Sequence, residues 1–183
     1  DIAINGDTIV EIGDLEGATA TRVIDASALI VSPGFIDLHT HADRNIRNNP
    51  GVENYLFQGV TTMLVGNCGN SPVHLDEYFQ SVEETRIAPN IGMLIGHNAV
   101  RAEVMGNENR APTANELTDM KGLVKTAIDA GAFGMSTGLI YLPGTYSETD
   151  EGVALPRVVA EHGGIYESHI RNEINHGNDP IKP

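Results

Sequence analysis

A single cysteine, Cys68, means that no disulfide can form within the chain, and nothing in its cysteine usage marks an oxidising compartment. Basic residues are scarce: 11 Lys and Arg face 25 Asp and Glu, for a formal net charge of −14. A chain this acidic is repelled by phosphate backbones and anionic bilayers, which argues against nucleic-acid and membrane-surface partners. No stretch approaches the roughly 18 consecutive apolar residues of a membrane span. An initiator methionine is also missing. The chain begins at Asp1 within the strand-like DIAI and stops at Pro183 in the polar run NEINHGNDPIKP. These ends read as those of a piece of a longer protein, in which a missing signal peptide carries little weight; a cytoplasmic location is the expectation.

What is present is enough for one domain of ordinary size, with 183 residues and an apolar share of 40%. Residues 1–31 alternate like short strands: DIAI and TIVEI flank the hairpin signal Asn5-Gly6-Asp7, and VIDAS and ALIV follow. They are expected to form part of a small β-sandwich domain. Residues 32–183 repeat strand, loop and helix. The apolar runs GFIDLHTH, GVTTMLVGN (59–67), NIGMLIGHN (90–98), FGMSTGL (133–139) and GIYESHI (164–170) are each bounded by glycine, as buried parallel strands tend to be.

Between them lie helices. Thr113 and Glu116 form a capping box for a helix over 114–130, with Leu117, Met120, Leu123, Val124, Ala127 and Ile128 at helical spacing. A second helix ends at Gly163-Gly164 with Leu155, Val158 and Val159 inward, and Pro156 predicts a late start or a kink. Residues 50–58 and 74–85 are weaker helices. Such units imply right-handed crossovers and a parallel α/β sheet. Five units fall short of the eight in a closed (β/α)8 barrel, so the pattern allows a partial barrel or an open doubly wound sheet.

The chemistry gathers at strand ends. His39 and His41 are two residues apart, so on a strand they share a face and can reach one metal at about 2.0–2.1 Å. Cys68 follows the second strand in VGNCGN, His97 ends the third in IGHN, and His169 ends the fifth in YESHIR. One such histidine reads as a satisfied core residue, and a lone cysteine as a small hydrophobe. Four strand units that each place such a residue at one end of one sheet read as a metal site. Imidazoles with a thiolate suit zinc better than magnesium or calcium. Asp37 alternates with the two histidines and is a candidate to support a ligand from behind, as is His97. Tyr141, on the loop after the fourth strand, is placed to contact substrate. His74, His162 and His176 read as solvated, as do Asp76, Glu77, Glu83 and Glu84 on one helix.

At these residues the sequence resembles the amidohydrolase superfamily, through VIDASALIVSPGFIDLHTHAD. More narrowly it resembles the N-acyl-D-amino-acid deacylase (D-aminoacylase) family, through GVTTMLVGNCG, IGHNAVRAEVMG, GMSTGLIYLPG and GGIYESHIRNE in order. The resemblance implies a partial (β/α)8 TIM barrel preceded by part of a β-sandwich. It implies zinc-dependent hydrolysis of small N-acyl-D-amino acids, with one zinc tightly held and a second, weaker position. His39 and His41 match the His-x-His pair, Cys68 the cysteine ligand that replaces a carboxylated lysine in hydantoinase-like relatives, and His169 the histidine of strand five. FGMSTGL, the fourth strand, has no lysine. Tyr141 and Arg171 match substrate-binding positions. The strand-six histidine and the general-base aspartate of strand eight would fall beyond Pro183, so this chain alone is expected to be inactive. The alternatives are a dihydroorotase or hydantoinase-like cyclic amidase, and a non-catalytic scaffold of the same fold.

Overall fold

Asn5 and Thr8 face each other across the first turn of the chain, leaving a two-residue Gly6-Asp7 loop between β1 (Ile2–Asn5) and β2 (Thr8–Ile12). In the computed structural model, which describes residues 1–172, the chain divides into two units, Asp1–Pro33 and a second that begins at Gly34. The hairpin is the regular structure of the first unit. VIDAS and ALIV, expected as further strands, form none, and Val23, Ile24, Leu29 and Ile30 stand exposed. Alternation makes a strand only where a neighbour completes the hydrogen-bond ladder, and the described residues of this unit offer no third partner.

The second unit holds five parallel strands in the order of the sequence. They are β3 (Phe35–Asp37), β4 (Val60–Val65), β5 (Asn90–Gly96), β6 (Gly134–Gly138) and β7 (Ile165–His169). Helices α1 (Glu53–Leu56), α2 (Leu75–Thr85), α3 (His97–Met105), α4 (Ala114–Asp129) and α5 (Thr149–Glu161) fill the crossovers. This is a partial (β/α)8 barrel. Period-two alternation sorts the strand residues: Met63, Val65, Met93, Ile95 and Met135 are buried against Leu75, Tyr78, Val82, Val100, Met120, Val124, Leu155 and Val159 of the helices. No helix among the described residues is long and apolar enough to cross a membrane.

Three elements differ from the sequence pattern. The ladder of β3 stops at Asp37, short of both histidines. On β5 the strand ends at Gly96 and α3 starts at the next residue, so no turn signal separates them and the helix HNAVRAEVM was not anticipated. Finally, Pro156 lies well inside α5, which runs through it with Leu155 and Val159 buried on one face. Having no N–H, the proline leaves the Gly152 carbonyl without its usual helical donor.

The capping box of α4 is formed: Glu116 N–H donates to Thr113 Oγ1 at 3.3 Å, and Thr113 N–H donates to the Glu116 carboxylate at 2.7 Å. The same carboxylate accepts two hydrogen bonds from Arg110, at 2.7 and 2.8 Å. Arg110 first, and then the two Thr113 groups, hold the Glu116 carboxyl down at about 2 against an ordinary value of 4.5. A depressed carboxyl stabilises the fold above its ordinary range, and the gain is lost as pH falls from 4.5 toward 2. Glu116→Gln should therefore remove part of the acid sensitivity in that window, read as a flatter dependence of the urea midpoint on pH. Thr113→Ala should cost about 1 kcal/mol in urea unfolding at neutral pH.

Candidate metal centre

The loop after β3 turns on Asp37, whose carboxylate accepts the backbone N–H of His39 at 3.1 Å. Asp37 thus shapes the loop through a hydrogen bond to main chain rather than to an imidazole. Buried Thr40 donates its N–H to Leu64 O of β4 at 3.2 Å, which keeps the loop alongside the sheet. His39 and His41 flank it. Their ring centroids lie 5.5 Å apart, at an interplanar angle of 88°. The two histidines are neighbours as expected, on the loop rather than on the strand.

Cys68 sits in the left-handed region, at φ +56, in the turn after β4. This conformation is uncommon for a residue with a side chain and is held by its surroundings. Two glycines let the main chain close around it. A Cβ at Gly66 would lie 2.1 Å from Leu94 O, and one at Gly138 would lie 2.1 Å from Cys68 O. Asn67 is fully buried and donates to Thr40 O at 2.8 Å and to Leu64 O at 3.0 Å, fastening the histidine loop to the cysteine turn. Ser136 of β6 accepts Gly69 N–H at 2.9 Å and donates to Gly66 O, so the turn is gripped from the next strand as well.

These supports bring four donors together. Single donor atoms of His39, His41 and Cys68 all lie within 4.8 Å of one another. Cys68 Sγ is 3.5 Å from His39 Nε2 and 3.5 Å from His169 Nδ1. Bonds of about 2.0–2.3 Å at tetrahedral angles place two zinc ligands roughly 3.3–3.8 Å apart, so the cysteine contacts already have the spacing of a zinc shell. Burial first, and then Arg44, lower the His41 pKa, which favours the neutral ring that binds metal. Glu167, two residues before His169 on β7, has Oε1 3.8 Å from His39 Nδ1. Burial raises its carboxyl, and His39 pulls the other way.

His97 goes elsewhere. It starts α3 and its Nε2 lies 2.7 Å from Glu151 of α5, whose other oxygen accepts from Arg101. Burial works to raise the Glu151 carboxyl, but the bonds from His97 and Arg101 outweigh it and hold it below the usual range. All three side chains are almost fully buried. Arg101 also donates to Glu108 O and to Arg110 O, fixing the connection to α4. The expected support for a ligand is replaced by a structural triad, because α3 turns the ring toward α5.

Tyr141 is where the loop reading put it, with its ring centroid 4.9 Å from that of His169. Arg171 is engaged differently from the expected contact with substrate: its guanidinium donates to Thr145 O at 2.6 Å and to Ser147 O at 2.9 Å, clamping the segment after Tyr141. His74 and His162 are exposed, as are Asp76, Glu77, Glu83 and Glu84; His176 lies outside the described residues. Asn67, Asn98 and Glu167 were not singled out from the sequence. Asn98 donates to Gly138 O at 2.9 Å and to Tyr141 O at 3.2 Å, tying α3 to the tyrosine loop. The only local signal for the two asparagines was their place beside glycine-rich strand ends. Beside the donors opens a cavity of about 560 Å³ whose lining includes His41, Arg44, Cys68, Asn98 and Tyr141.

Comparison with known proteins gives this site a context. The sequence profile of the amidohydrolase family matches residues 22–162. D-aminoacylase of Alcaligenes xylosoxydans xylosoxydans is 37% identical over 96% of this chain and 41% of its own length. The crystal structure of a D-aminoacylase superimposes with a TM-score of 0.89 at 34% identity, over 96% of this chain and 42% of the other. N-acyl-D-glutamate deacylase from Bordetella bronchiseptica, solved with zinc and a phosphonate inhibitor that mimics the tetrahedral intermediate, gives 0.88 at 36% identity, over 94% of this chain and 41% of the other. The chain belongs to the amidohydrolase family. It spans about two fifths of the length of these relatives.

Two substitutions separate the scaffold's supports. Glu151→Ala leaves Arg101 buried and unpaired and should cost about 3–5 kcal/mol in denaturant unfolding. Asn67→Ala should cost about 1–3 kcal/mol, because Thr40 O and Leu64 O each lose a buried donor.

Proposed function

We propose that the full-length protein, as a member of the amidohydrolase family, hydrolyses the amide of N-acyl-D-amino acids with zinc held by His39, His41, Cys68 and His169. The observation that carries this reading is the convergence of imidazoles on one thiol, with Sγ at 3.5 Å from both His39 and His169. Relatives named as D-aminoacylase and N-acyl-D-glutamate deacylase, at 37% and 39% identity, support the amide and its D configuration. Related structures described with zinc and with a binuclear metal centre support a zinc site with room for a second ion; in this reading one is tightly held and the second weaker.

Zinc bound there would make a water acidic enough to act near neutral pH and would polarise the acyl carbonyl. The chain's own residues prepare that chemistry. Cys68 supplies the anionic donor, which a lysine-free β6 could not. His41 is kept neutral, and His39 turns Nε2 toward the thiol while Nδ1 faces Glu167. Tyr141 lies against the His169 ring and lines the cavity in which the acyl group would sit. Hydrolysis adds the water oxygen to the acyl carbon and delivers protons to the departing nitrogen. In this reading an aspartate beyond Pro183 supplies that transfer. The substrate is a small molecule, with no part for nucleic acid or membrane.

The test is hydrolysis of N-acetyl-D- and N-acetyl-L-amino acids by the full-length protein, with zinc content measured in parallel. Turnover should be confined to the D series. Cys68→Ala and His169→Ala should each lower it roughly a hundredfold or more and reduce bound zinc. Unchanged activity and zinc in both variants would overturn the assignment.

A further inference from the structure

Asn98, the second residue of α3, is 5% exposed and has its whole amide engaged. Nδ2 donates to Gly138 O at 2.9 Å and to Tyr141 O at 3.2 Å, while Oδ1 accepts Gly138 N–H at 3.3 Å. These partners fix which way the amide faces and occupy both of its N–H donors. The same oxygen packs on glycine main chain: a Cβ at Gly69 would lie 2.2 Å from it, and one at Gly144 would lie 2.4 Å from it. The next residue of the helix, Ala99, donates its N–H to Gly69 O at 3.1 Å. One asparagine thus stands between the turn that carries Cys68, the end of β6 and the loop that carries Tyr141. Tyr141 itself is held by its main chain and half-exposed at its side chain, with the ring beside His169 and along the 560 Å³ cavity.

We infer that Asn98 is a positioning residue of the deacylase site: it holds the Tyr141 ring in place beside the metal donors and acts on substrate only through that ring. This rests on the deacylase reading and adds to it a residue and its manner of acting. Three observations lead there. Asn98 lines the cavity, but both Nδ2 hydrogens are committed to carbonyls, so neither is left to donate to a substrate. Its bonds end on the stem of the ring. Tyr141 N–H donates to Gly138 O at 3.0 Å, and a Cβ at Gly138 would lie 3.0 Å from Tyr141 Cδ2, so a shift at Gly138 and Tyr141 main chain moves the ring with it. The far end of the loop has a separate clamp, since Arg171 holds Thr145 O and Ser147 O, and Asn98 secures the tyrosine end. An aromatic wall fixed before substrate arrives need not be ordered on binding, which keeps the reacting amide close to its productive geometry.

The experiment is a double-mutant cycle in the full-length protein, with Asn98→Ala, Tyr141→Ala and the two combined. The readout is kcat/KM on the N-acetyl-D-amino acid that the unsubstituted protein turns over fastest, with zinc content measured in every variant. Asn98→Ala should lower kcat/KM roughly tenfold to a hundredfold with zinc unchanged. In the Tyr141→Ala background the same substitution should cost less than about threefold more, because the ring through which it acts is gone. Asn98→Asp keeps the shape and sets a carboxylate oxygen against two carbonyls, so it should lose at least as much; it also decides the case in which Asn98→Ala does not fold. Amide hydrogen exchange over residues 139–147 should quicken in Asn98→Ala while that of α4 stays the same. Losses that multiply in the double variant would overturn the inference, as would full activity in Asn98→Asp, unchanged exchange in the loop, or a loss that follows zinc. In each of those cases the deacylase reading stands. If the unsubstituted protein hydrolyses no N-acyl-D-amino acid, both fail.

Discussion

The turn that carries Cys68 packs main chain against main chain, and the geometry of the donor cluster follows from that. Leu94 O of β5 stands where a side chain at residue 66 would begin, and Cys68 O stands where one at residue 138 would begin. With glycine at both places, the turn settles between the ends of β5 and β6, and Cys68 takes a left-handed conformation within it. Ser136 and Asn67 then use side-chain oxygen and nitrogen for bonds that a regular ladder would have made from the backbone. Strand spacing becomes donor spacing.

Two histidines of the same chain show how position decides role. His39 and His97 both follow the C-terminal end of a parallel strand. His39 stays on an exposed loop, with one nitrogen facing a thiol and the other facing Glu167. His97 enters a helix at once, and its ring is carried into the layer between α3 and α5, where Glu151 and Arg101 meet it. In the first place ring nitrogens remain available to a ligand. In the second, Nε2 joins a buried network with Glu151 and Arg101 that ties α3 to α5 and fixes the connection toward α4.

Much of this was legible in the sequence because it depends on local repetition. Five glycine-bounded apolar runs, the Thr113–Glu116 box and the spacing of Met120, Val124 and Ala127 gave the parallel units directly, while the pattern left their order in the sheet open between a partial barrel and a doubly wound sheet. The paired histidines and Cys68 were legible for the same reason, since a strand end is a predictable place. What escaped depends on partners far apart in the chain. The bonds of Asn67 to Thr40 and of Asn98 to Tyr141 leave no periodic trace. Helix α3 was hidden because β5 runs into it without a loop, and the fate of His97 was hidden with it. The strand-like residues after the first hairpin misled in the opposite sense: alternation was there, and a neighbouring strand was not.

Because consecutive strands are also spatial neighbours, the donors are added in the order in which the chain is made. His39, His41 and Cys68 come from adjacent units, while His169 follows the cysteine by 101 residues. At a synthesis rate of about 5–20 residues per second, the nascent chain carries the first three donors for roughly 5–20 s before the fourth emerges. During that interval the chain holds three of the four proposed ligands. A metal held by these four residues, as proposed, would meet its ligands in two stages, three before β7 is made and the fourth with it.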